Sequence, residues 1–207
     1  MSACLIEEHD LGTIPYLEAL QQQIIFAQRL AQDTPDKCYL LLAEHPPVIT
    51  LGKRTDPAAI KDSSGIEVVS VERGGGATVH MLGQLVCYPI TRLPAYRVRP
   101  YIRMLENTLL RLLDRYGIAA HVDSYNPGVW VGDAKIAAIG IRVRDRITRH
   151  GLALNVNNSL ELYERIVPCH MPNMVSTSMR ELLGRKLDLQ EVKHRLVRYF
   201  EANFTLM

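Results

Sequence analysis

A lysine and a cysteine from different parts of the sequence form the first candidate for chemistry. Lys135 lies in the segment GDAKIAAIG, and Cys169 lies in IVPCHMPN. A neighbouring ammonium group stabilises a thiolate, so it lowers the pKa of a cysteine from about 8.5 toward neutrality. If the fold brings these two side chains together, they form a nucleophile that is ready at cellular pH and suited to attack on an acyl group.

Cys169 is the best placed of the four cysteines for this role. Cys38 and Cys87 lie within predicted strands, where a cysteine is usually a small core residue, and Cys4 is close to the terminus. Cys169 lies between prolines in irregular chain, and loops carry reactive groups more often than strands do. For a lone cysteine, a buried or merely exposed thiol without a catalytic role would be the favoured interpretation. The adjacent His170 is interpreted as a bystander, because sequence neighbours generally point apart.

Lys135 is predicted on the apolar face of a strand. If the segment alternates regularly, Lys135 and Ala137 share a face with Ile139 and Ile141. A lysine on such a face is costly to keep charged unless an anion lies nearby. A bulge near residues 132–133 would instead turn Lys135 to solvent, and the sequence leaves both arrangements open.

The run RGGGATVHMLGQLVCY, from Arg73 to Tyr88, is the second candidate site. Its three consecutive glycines carry no side chain, so another molecule can approach the backbone closely. Arg73 and Thr78 supply polar donors beside that backbone, and His80 follows. The nucleotide-binding patterns GxxxxGK[ST] and GxGxxG are both absent, which makes a phosphate-binding loop the weaker interpretation.

Length and composition are those of a soluble globular protein. The chain has 207 residues, 47% of them hydrophobic and 22% charged, which fits one domain over residues 1–207. The cysteines lack metal-ligand spacing, so we expect neither a metal site nor a disulfide framework. A formal charge of +2 is too small to indicate a nucleic-acid-binding protein. An acidic N-terminus and the lack of any apolar run near 20 residues lead us to expect a cytoplasmic protein without a membrane partner. An organellar matrix is the alternative if a transit peptide has been removed from a longer precursor.

Arginines are nevertheless unevenly distributed. Each of two clusters could meet an acidic partner, although solvated strand and helix faces are the favoured interpretation for either cluster taken alone. The clusters are Arg97, Arg99 and Arg103, and Arg142, Arg144, Arg146 and Arg149.

The apolar periodicity predicts interleaved strands and helices in a single α+β domain. The run CYLLLAE does not alternate, which indicates a strand buried on both faces. A long antiparallel hairpin is predicted around Asp145. Further strands are expected at residues 4–9, 48–52, 66–71 and 84–90, and helices after Pro15, over 100–117 and from Asp188. The core face of the first helix is predicted to be Leu17, Leu20, Ile24, Ala27 and Ala31.

Four blocks of this sequence resemble the octanoyltransferase family, the lipoyl(octanoyl) transferases. The blocks are LLLAEHPPVITLGKRT, RGGGATVHMLGQLVCYPI, PGVWVGDAKIAAIGIRVRDRITRHGLALNV and IVPCHMPNMVSTSMREL, in the family's order from Leu40 to Leu182. The resemblance implies the fold of biotin and lipoate protein ligases, a mixed β-sheet flanked by helices. It also implies transfer of an octanoyl group from acyl carrier protein to a lysine of a lipoyl domain.

The resemblance assigns roles to residues of this chain. Cys169 corresponds to the nucleophile that forms an acyl thioester, and Lys135 to the residue that activates it. Acceptors would be the lipoyl domains of 2-oxoacid dehydrogenase complexes or the glycine cleavage H protein, and no cofactor or metal is implied. The implied substrate contacts are Arg73, Gly74, Gly75, Gly76, Ala77, Thr78, Val79, His80, Ala138, Ile139, Gly140, Gly151, Leu152 and Ala153.

The chain departs from the family pattern at a few positions near the predicted site. Val79 replaces an aromatic residue, Met81 and Leu82 replace a Gly-Pro pair, and His170 replaces a glycine. Three other functions remain as alternatives: an octanoyl amidotransferase, an ATP-dependent lipoate or octanoate ligase, and a non-catalytic carrier-binding module. The ligase would need the lysine but no cysteine nucleophile.

Overall fold

The computed structural model describes residues 5–33, 37–94, 97–123, 126–167 and 174–204. The predicted order of strands and helices is confirmed, with additional short elements. The strands are β1 (Leu5–Thr13), β2 (Lys37–Glu44), β3 (Val48–Leu51), β4 (Glu67–Ser70), β5 (Ala77–His80), β6 (Gln84–Thr91), β7 (His121–Val122), β8 (Gly128–Val131), β9 (Ala134–Arg144), β10 (Ile147–Asn155) and β11 (Val175–Ser176). The helices are α1 (Tyr16–Gln32), α2 (Val98–Arg115), α3 (Met179–Leu183) and α4 (Leu189–Phe204), with 3-10 turns at Pro57–Ala59 and Glu161–Arg165.

A mixed sheet forms the centre of the molecule. Its strands follow the order β1-β2-β6-β10-β9-β8-β7, and β11 pairs with β9 on a separate branch. The pairs β1–β2 and β11–β9 are parallel, whereas the other ladders of this sheet are antiparallel. A second sheet has the order β4-β3-β5. Helices cover the large sheet, so the predicted α+β class is confirmed.

Strand β2 packs against an apolar layer on each of its two faces, which explains its unbroken run of hydrophobic residues. Leu40 and Leu42 pack into the cluster that α2 and α4 cover. Tyr39 and Leu41 pack into a second cluster with residues of α1. A strand that contacts apolar partners on both faces cannot alternate with polar residues.

The predicted hairpin consists of β9 and β10. Ile147 pairs with Arg144, and Gly140 pairs with Gly151. Asp145 and Arg146 both have positive φ, 51° and 66°, as a two-residue hairpin turn requires. Part of the charge of the second arginine cluster is neutralised here, because Arg149 forms an ion pair with Glu72 at 3.1 Å.

The buried face of α1 differs from the predicted one. Leu17 and Ile24, which were predicted to face the core, are 47% and 37% exposed. Both stripes of α1 recur at three and four residues, so periodicity could not separate them. The buried stripe carries rings and polar groups that find partners across the core. It consists of Tyr16, Ala19, Gln23, Phe26 and Leu30.

The C-terminal helix α4 begins after Asp188, as predicted. The Asp188 carboxylate accepts a hydrogen bond from the Gln190 backbone N–H at 2.9 Å. Among the described residues, none of the helices combines the length and the apolar character needed to cross a bilayer.

Candidate functional site

Arg73 holds the glycine run in place. Its side chain is buried, and its Nη1 donates to the carbonyl oxygens of Gly74 at 3.1 Å and Gly76 at 2.8 Å. Its Nη2 donates to both oxygens of Thr50 in β3, each at 2.8 Å. The guanidinium therefore braces the loop against β3, in addition to lining the cavity that the loop borders.

The loop also lies directly against β9. The Gly74 N–H donates to the Ile141 carbonyl oxygen at 3.0 Å. A Cβ atom at Gly140 would lie 3.1 Å from Arg73 Cδ and 3.2 Å from the Gly74 oxygen. Gly75 has φ of +87°, a conformation that other residues enter only with strain. These glycines allow the close approach of loop and strand that shapes the site.

Most of the predicted substrate contacts surround one cavity of about 50 Å³. They come from the glycine loop, β5, β9 and β10, which the sheet order brings together. The predicted residues that line it are Arg73, Gly74, Gly75, Thr78, His80, Lys135, Ala138, Ile139, Gly140, Gly151, Leu152 and Ala153.

Three predicted contacts lie elsewhere. Gly76 lines an adjoining groove. Ala77 and Val79 instead pack into a small core with Ile49 and Ile166. Side chains alternate along β5, so Thr78 and His80 face the cavity and their neighbours cannot.

Two of the residues that differ from the family pattern lie in that same small core. Val79 and Met81 are both buried in it, and Leu82 is exposed at the following turn. Neither Val79 nor Met81 lines the cavity, so these two departures concern the packing behind it.

Lys135 is buried, but on a different face from the predicted one. Only 5% of the residue is exposed, which excludes the arrangement that turns it to solvent. The β8–β9 register pairs Val129 with Ala137 and Trp130 with Lys135, so Ile136 is an extra residue. Ile136 and Ala137 both pack into the core under α2 and α4. The regular alternation is broken between them, and Lys135 reaches the cavity that Ala138 and Gly140 line.

The Lys135 ammonium also lies close to an aromatic ring. Its Nζ is 4.9 Å from the ring centroid of Trp130, within the range of a cation–π interaction. Among the described residues that line the cavity, Arg73 is the other side chain that carries a charge at any ordinary pH. The site therefore carries positive charge at two places, at Arg73 in the glycine loop and at Lys135 in β9.

Cys169 and His170 lie in the segment 168–173, outside the described residues. The chain on either side of this segment is described. Before it, the Val167 N–H donates to the Ala59 oxygen at 2.7 Å. After it, β11 pairs in parallel with β9, Ser176 lies opposite Lys135, and the Thr177 N–H donates to the Lys135 oxygen at 3.0 Å. Strand β11, which follows this segment, thus runs beside the strand that carries Lys135.

The sequence predicts His80 as a site residue, but it does not predict that His80 belongs to a group of imidazole and phenol side chains around the cavity. Tyr16, His80, Tyr88 and His150 line it, and His45 lies behind them. The His80 ring stacks on Tyr16 with centroids 5.6 Å apart. These residues are scattered between α1 and β10, so no spacing along the chain could reveal them.

Hydrogen bonds define the proton positions of two of these imidazoles. His45 Nδ1 donates to the Ile14 carbonyl oxygen at 2.8 Å, which leaves its Nε2 to accept from the Tyr88 hydroxyl at 2.7 Å. His80 Nδ1 lies 2.8 Å from the Gln84 side-chain oxygen and is the donor. A carbonyl oxygen can only accept, so each tautomer follows from its partner.

Burial keeps these groups uncharged. It lowers the pKa of His80 and that of His150 to about 3, and it also lowers the pKa of His45. The same burial raises the pKa of Tyr16 to about 12. Apart from the Arg73 guanidinium and the Lys135 ammonium, the cavity wall at neutral pH therefore consists of neutral rings, glycines and apolar side chains, which suits an uncharged acyl chain.

Comparison with known proteins identifies relatives over most of the chain. Residues 15–201 match the family described as "Lipoyl protein ligase A/B catalytic domain". An octanoyltransferase from Alkaliphilus metalliredigens is 40% identical over 205 residues, which cover 94% of this chain and 93% of that protein. An octanoyltransferase from Desulfotalea psychrophila is 41% identical over 199 residues, covering 91% and 89%.

Solved structures with the same fold are more distant in sequence. Lipoate-protein ligase A bound with ATP has a TM-score of 0.73 and 16% identity, over 97% of this chain and 84% of that one. A bipartite lipoate protein ligase from Thermoplasma acidophilum has a TM-score of 0.76 and 17% identity, over 97% and 84%. A biotin protein ligase from Aquifex aeolicus has a TM-score of 0.55 and 14% identity, over 96% and 69%. The predicted fold type is confirmed.

Proposed function

This chain belongs to the family of lipoyl protein ligase A/B catalytic domains, and we propose that it moves an octanoyl group from acyl carrier protein to a lipoyl-domain lysine through a thioester on Cys169. It is an acyltransferase, as its octanoyltransferase relatives with about 40% identity are. The observation that carries the proposed mechanism is the pairing of β11 with β9. It brings β11, which follows the segment that contains Cys169, beside the buried Lys135 of the cavity lining.

In the first step, the Cys169 thiolate attacks the carbonyl carbon of the octanoyl thioester on the carrier. A new carbon–sulfur bond forms, and the bond to the pantetheine sulfur breaks. The Lys135 ammonium gives its proton to the departing thiolate, so a neutral thiol leaves.

In the second step, the amine of a lipoyl-domain lysine attacks the thioester on Cys169. The amide bond forms, the carbon–sulfur bond breaks, and the now neutral Lys135 accepts the proton that the amine loses. The thiolate and ammonium pair is restored, and the step needs neither a metal nor a nucleotide.

The narrow cavity is the proposed site for the octanoyl tail. Strands β9 and β10 line it with residues that have small side chains or none. These residues are Ala138, Gly140, Gly151 and Ala153. The neutral imidazoles avoid the cost of burying a charge beside an apolar chain. Acceptors of the acyl group would be lipoyl domains of 2-oxoacid dehydrogenase complexes or the glycine cleavage H protein, with residues 1–207 acting as one catalytic domain in the cytoplasm.

Intact-protein mass spectrometry tests this function directly. The protein is incubated with octanoyl acyl carrier protein without ATP, and the same is done with Cys169→Ser and with Cys4→Ser as a matched control. We expect one octanoyl adduct on the wild type and on Cys4→Ser that hydroxylamine removes, and no adduct on Cys169→Ser.

The same experiment separates the other candidate functions. An adduct that appears only with free octanoate and ATP would indicate a ligase. Acylation from an octanoylated H protein, without acylation from the carrier, would indicate an amidotransferase. Tight carrier binding without any adduct would indicate a non-catalytic module, and each of these results would contradict the proposal.

A further inference from the structure

A second cavity adjoins the first, and we propose that it binds the 4′-phosphopantetheine arm of the acyl carrier, with Arg54 contacting the phosphate. This inference rests on the proposed function, because it assumes a pantetheine thioester as the donor. We call the second cavity the arm groove. It has a volume of about 330 Å³, and its lining comes from the glycine loop, α2 and β9.

The two cavities meet at Lys135. Residues that line both are Gly74, Gly75, Lys135, Ile139 and Gly140. A thioester at this junction would have its acyl chain in the narrow cavity and the rest of the donor in the arm groove. The narrow cavity has a volume of only about 50 Å³. The part of the donor beyond the acyl chain therefore needs the arm groove.

The charge of the arm groove fits an anion. Its ionisable lining residues among the described residues are Arg54 and Lys135, which are both cationic. The Lys135 ammonium already serves the reacting sulfur in the proposed mechanism. Arg54 is therefore the cation available to bind a negatively charged group of the donor that lies farther from the reacting sulfur.

Arg54 has an anchored backbone and an accessible side chain. Its N–H donates to the Gly75 oxygen at 3.3 Å, and the residue is exposed. Within the described ranges, its guanidinium forms no ion pair with a carboxylate, whereas Arg149 pairs with Glu72 at 3.1 Å. A guanidinium can form two parallel hydrogen bonds with a phosphate, which makes arginine the preferred residue for this recognition.

The remaining walls match the arm itself. Val98 and Ile102 of α2, with Pro127 and Ile141, form an apolar surface, and Asn126 adds an amide group. A pantetheine arm combines methyl groups with two amides, so apolar walls with one polar side chain are complementary to it. Acyl carrier protein and coenzyme A share this arm, and we assign the groove to the carrier.

The test compares donors with and without the phosphate. Rates of octanoyl transfer to Cys169 are measured for octanoyl-4′-phosphopantetheine and octanoyl-pantetheine, on the wild type and on Arg54→Gln. We expect the phosphate to raise kcat/KM about tenfold or more on the wild type, mainly through KM, because charge-assisted hydrogen bonds are the strong ones. On Arg54→Gln that advantage should largely disappear, and the rate with octanoyl-pantetheine should not change.

Arg144→Gln is the matched control, because this arginine is on the hairpin with a 69% exposed side chain and does not line the arm groove. It should keep the full preference for the phosphorylated donor. Octanoyl acyl carrier protein should lose as much kcat/KM on Arg54→Gln as octanoyl-4′-phosphopantetheine does. A loss seen with octanoyl coenzyme A but not with the carrier would overturn the assignment to the carrier.

The outcomes separate this inference from the proposed function. Acylation of Cys169 at equal rates by both small donors, or an equal loss for both on Arg54→Gln, would overturn the arm groove while leaving octanoyl transfer intact. Failure of every donor to acylate Cys169 would contradict the proposed function itself.

Discussion

At the scale of single residues, burial decides the protonation state of the imidazoles around the cavity. His80 and His150 are both buried, and the desolvation of their charged form dominates the lowering of their pKa. Arg73 adds a second, smaller effect in the same direction for His150. The neutral state of these imidazoles is therefore a property of the fold and is linked to its stability.

This linkage predicts a loss of stability in mild acid. The pKa of His150 is about 3 in the folded protein and about 6.5 when unfolded, so the unfolded chain binds more protons between these values. The free energy of unfolding should fall as the pH decreases from 6.5 toward 3, and His150→Asn should reduce the slope between pH 6.5 and 5. Urea denaturation at a series of pH values measures this pH dependence of the free energy of unfolding. The exposed His194→Gln is the control, and an equal effect of both variants would contradict the explanation.

A second prediction at this scale concerns thiol reactivity. Cys38 and Cys87 are buried, and burial raises the pKa of the Cys87 thiol well above its ordinary value. Alkylation of the native protein should leave both unmodified. Lys135→Met should slow alkylation of Cys169 at pH 7 about tenfold, because a lysine partner lowers a thiol pKa. Peptide mass spectrometry measures both, and the exposed Lys53→Met should have no effect.

At the scale of elements, Asn155 connects the two sides of the segment that contains Cys169. Its oxygen accepts from Gln84 Nε2 at 2.9 Å and from the Tyr163 hydroxyl at 3.1 Å. Its Nδ2 donates to the Thr177 oxygen at 3.0 Å. Tyr163 precedes residues 168–173 and Thr177 follows them, so one side chain of β10 joins both flanks.

Removing this connection should affect stability and catalysis together. Asn155→Ala leaves buried polar partners without their hydrogen bonds, which should lower the free energy of unfolding by about 1–3 kcal/mol. The rate of Cys169 acylation should fall by about tenfold or more, because small misplacements of reacting groups are costly. Asn203→Ala is the control: it loses a hydrogen bond to Thr108 at 3.0 Å, between α4 and α2. Equal catalytic losses in both variants would argue against a positioning role.

At the scale of the whole molecule, a partly buried ion pair joins the first strand to the last helix. Lys193 of α4 donates to both carboxylate oxygens of Asp10 in β1, at 3.0 and 2.9 Å. The lysine side chain is 3% exposed, whereas that of Asp10 is 35% exposed. The loss in the free energy of unfolding should therefore depend on which of the two partners is removed.

This asymmetry predicts unequal effects of the two substitutions. Asp10→Asn leaves a buried ammonium without its counter-charge and should lower the free energy of unfolding by up to about 3 kcal/mol. Lys193→Met leaves a carboxylate that water can still reach, so its cost should be about 1 kcal/mol or less. Chemical denaturation at pH 7 measures both. A larger loss for Lys193→Met would contradict the burial argument.

The sequence by itself determined the features that depend on neighbouring residues. The unbroken apolar run of β2, the turn at Asp145 and the glycines after Arg73 each have a local physical cause, so their elements were predictable. The chemical types of Lys135 and Cys169 were also readable without a structure. Their roles remain predictions.

Only the tertiary structure decided which side chains meet across the core. The buried face of α1 depends on His150, which approaches the Tyr16 hydroxyl at 3.4 Å from 134 positions away in the chain. The orientation of Lys135 depends on a bulge against β8, and the neutral imidazoles depend on desolvation by elements far apart in sequence. Burial, register and pairing are properties of the assembled sheet and helices, so no local pattern along the chain could specify them.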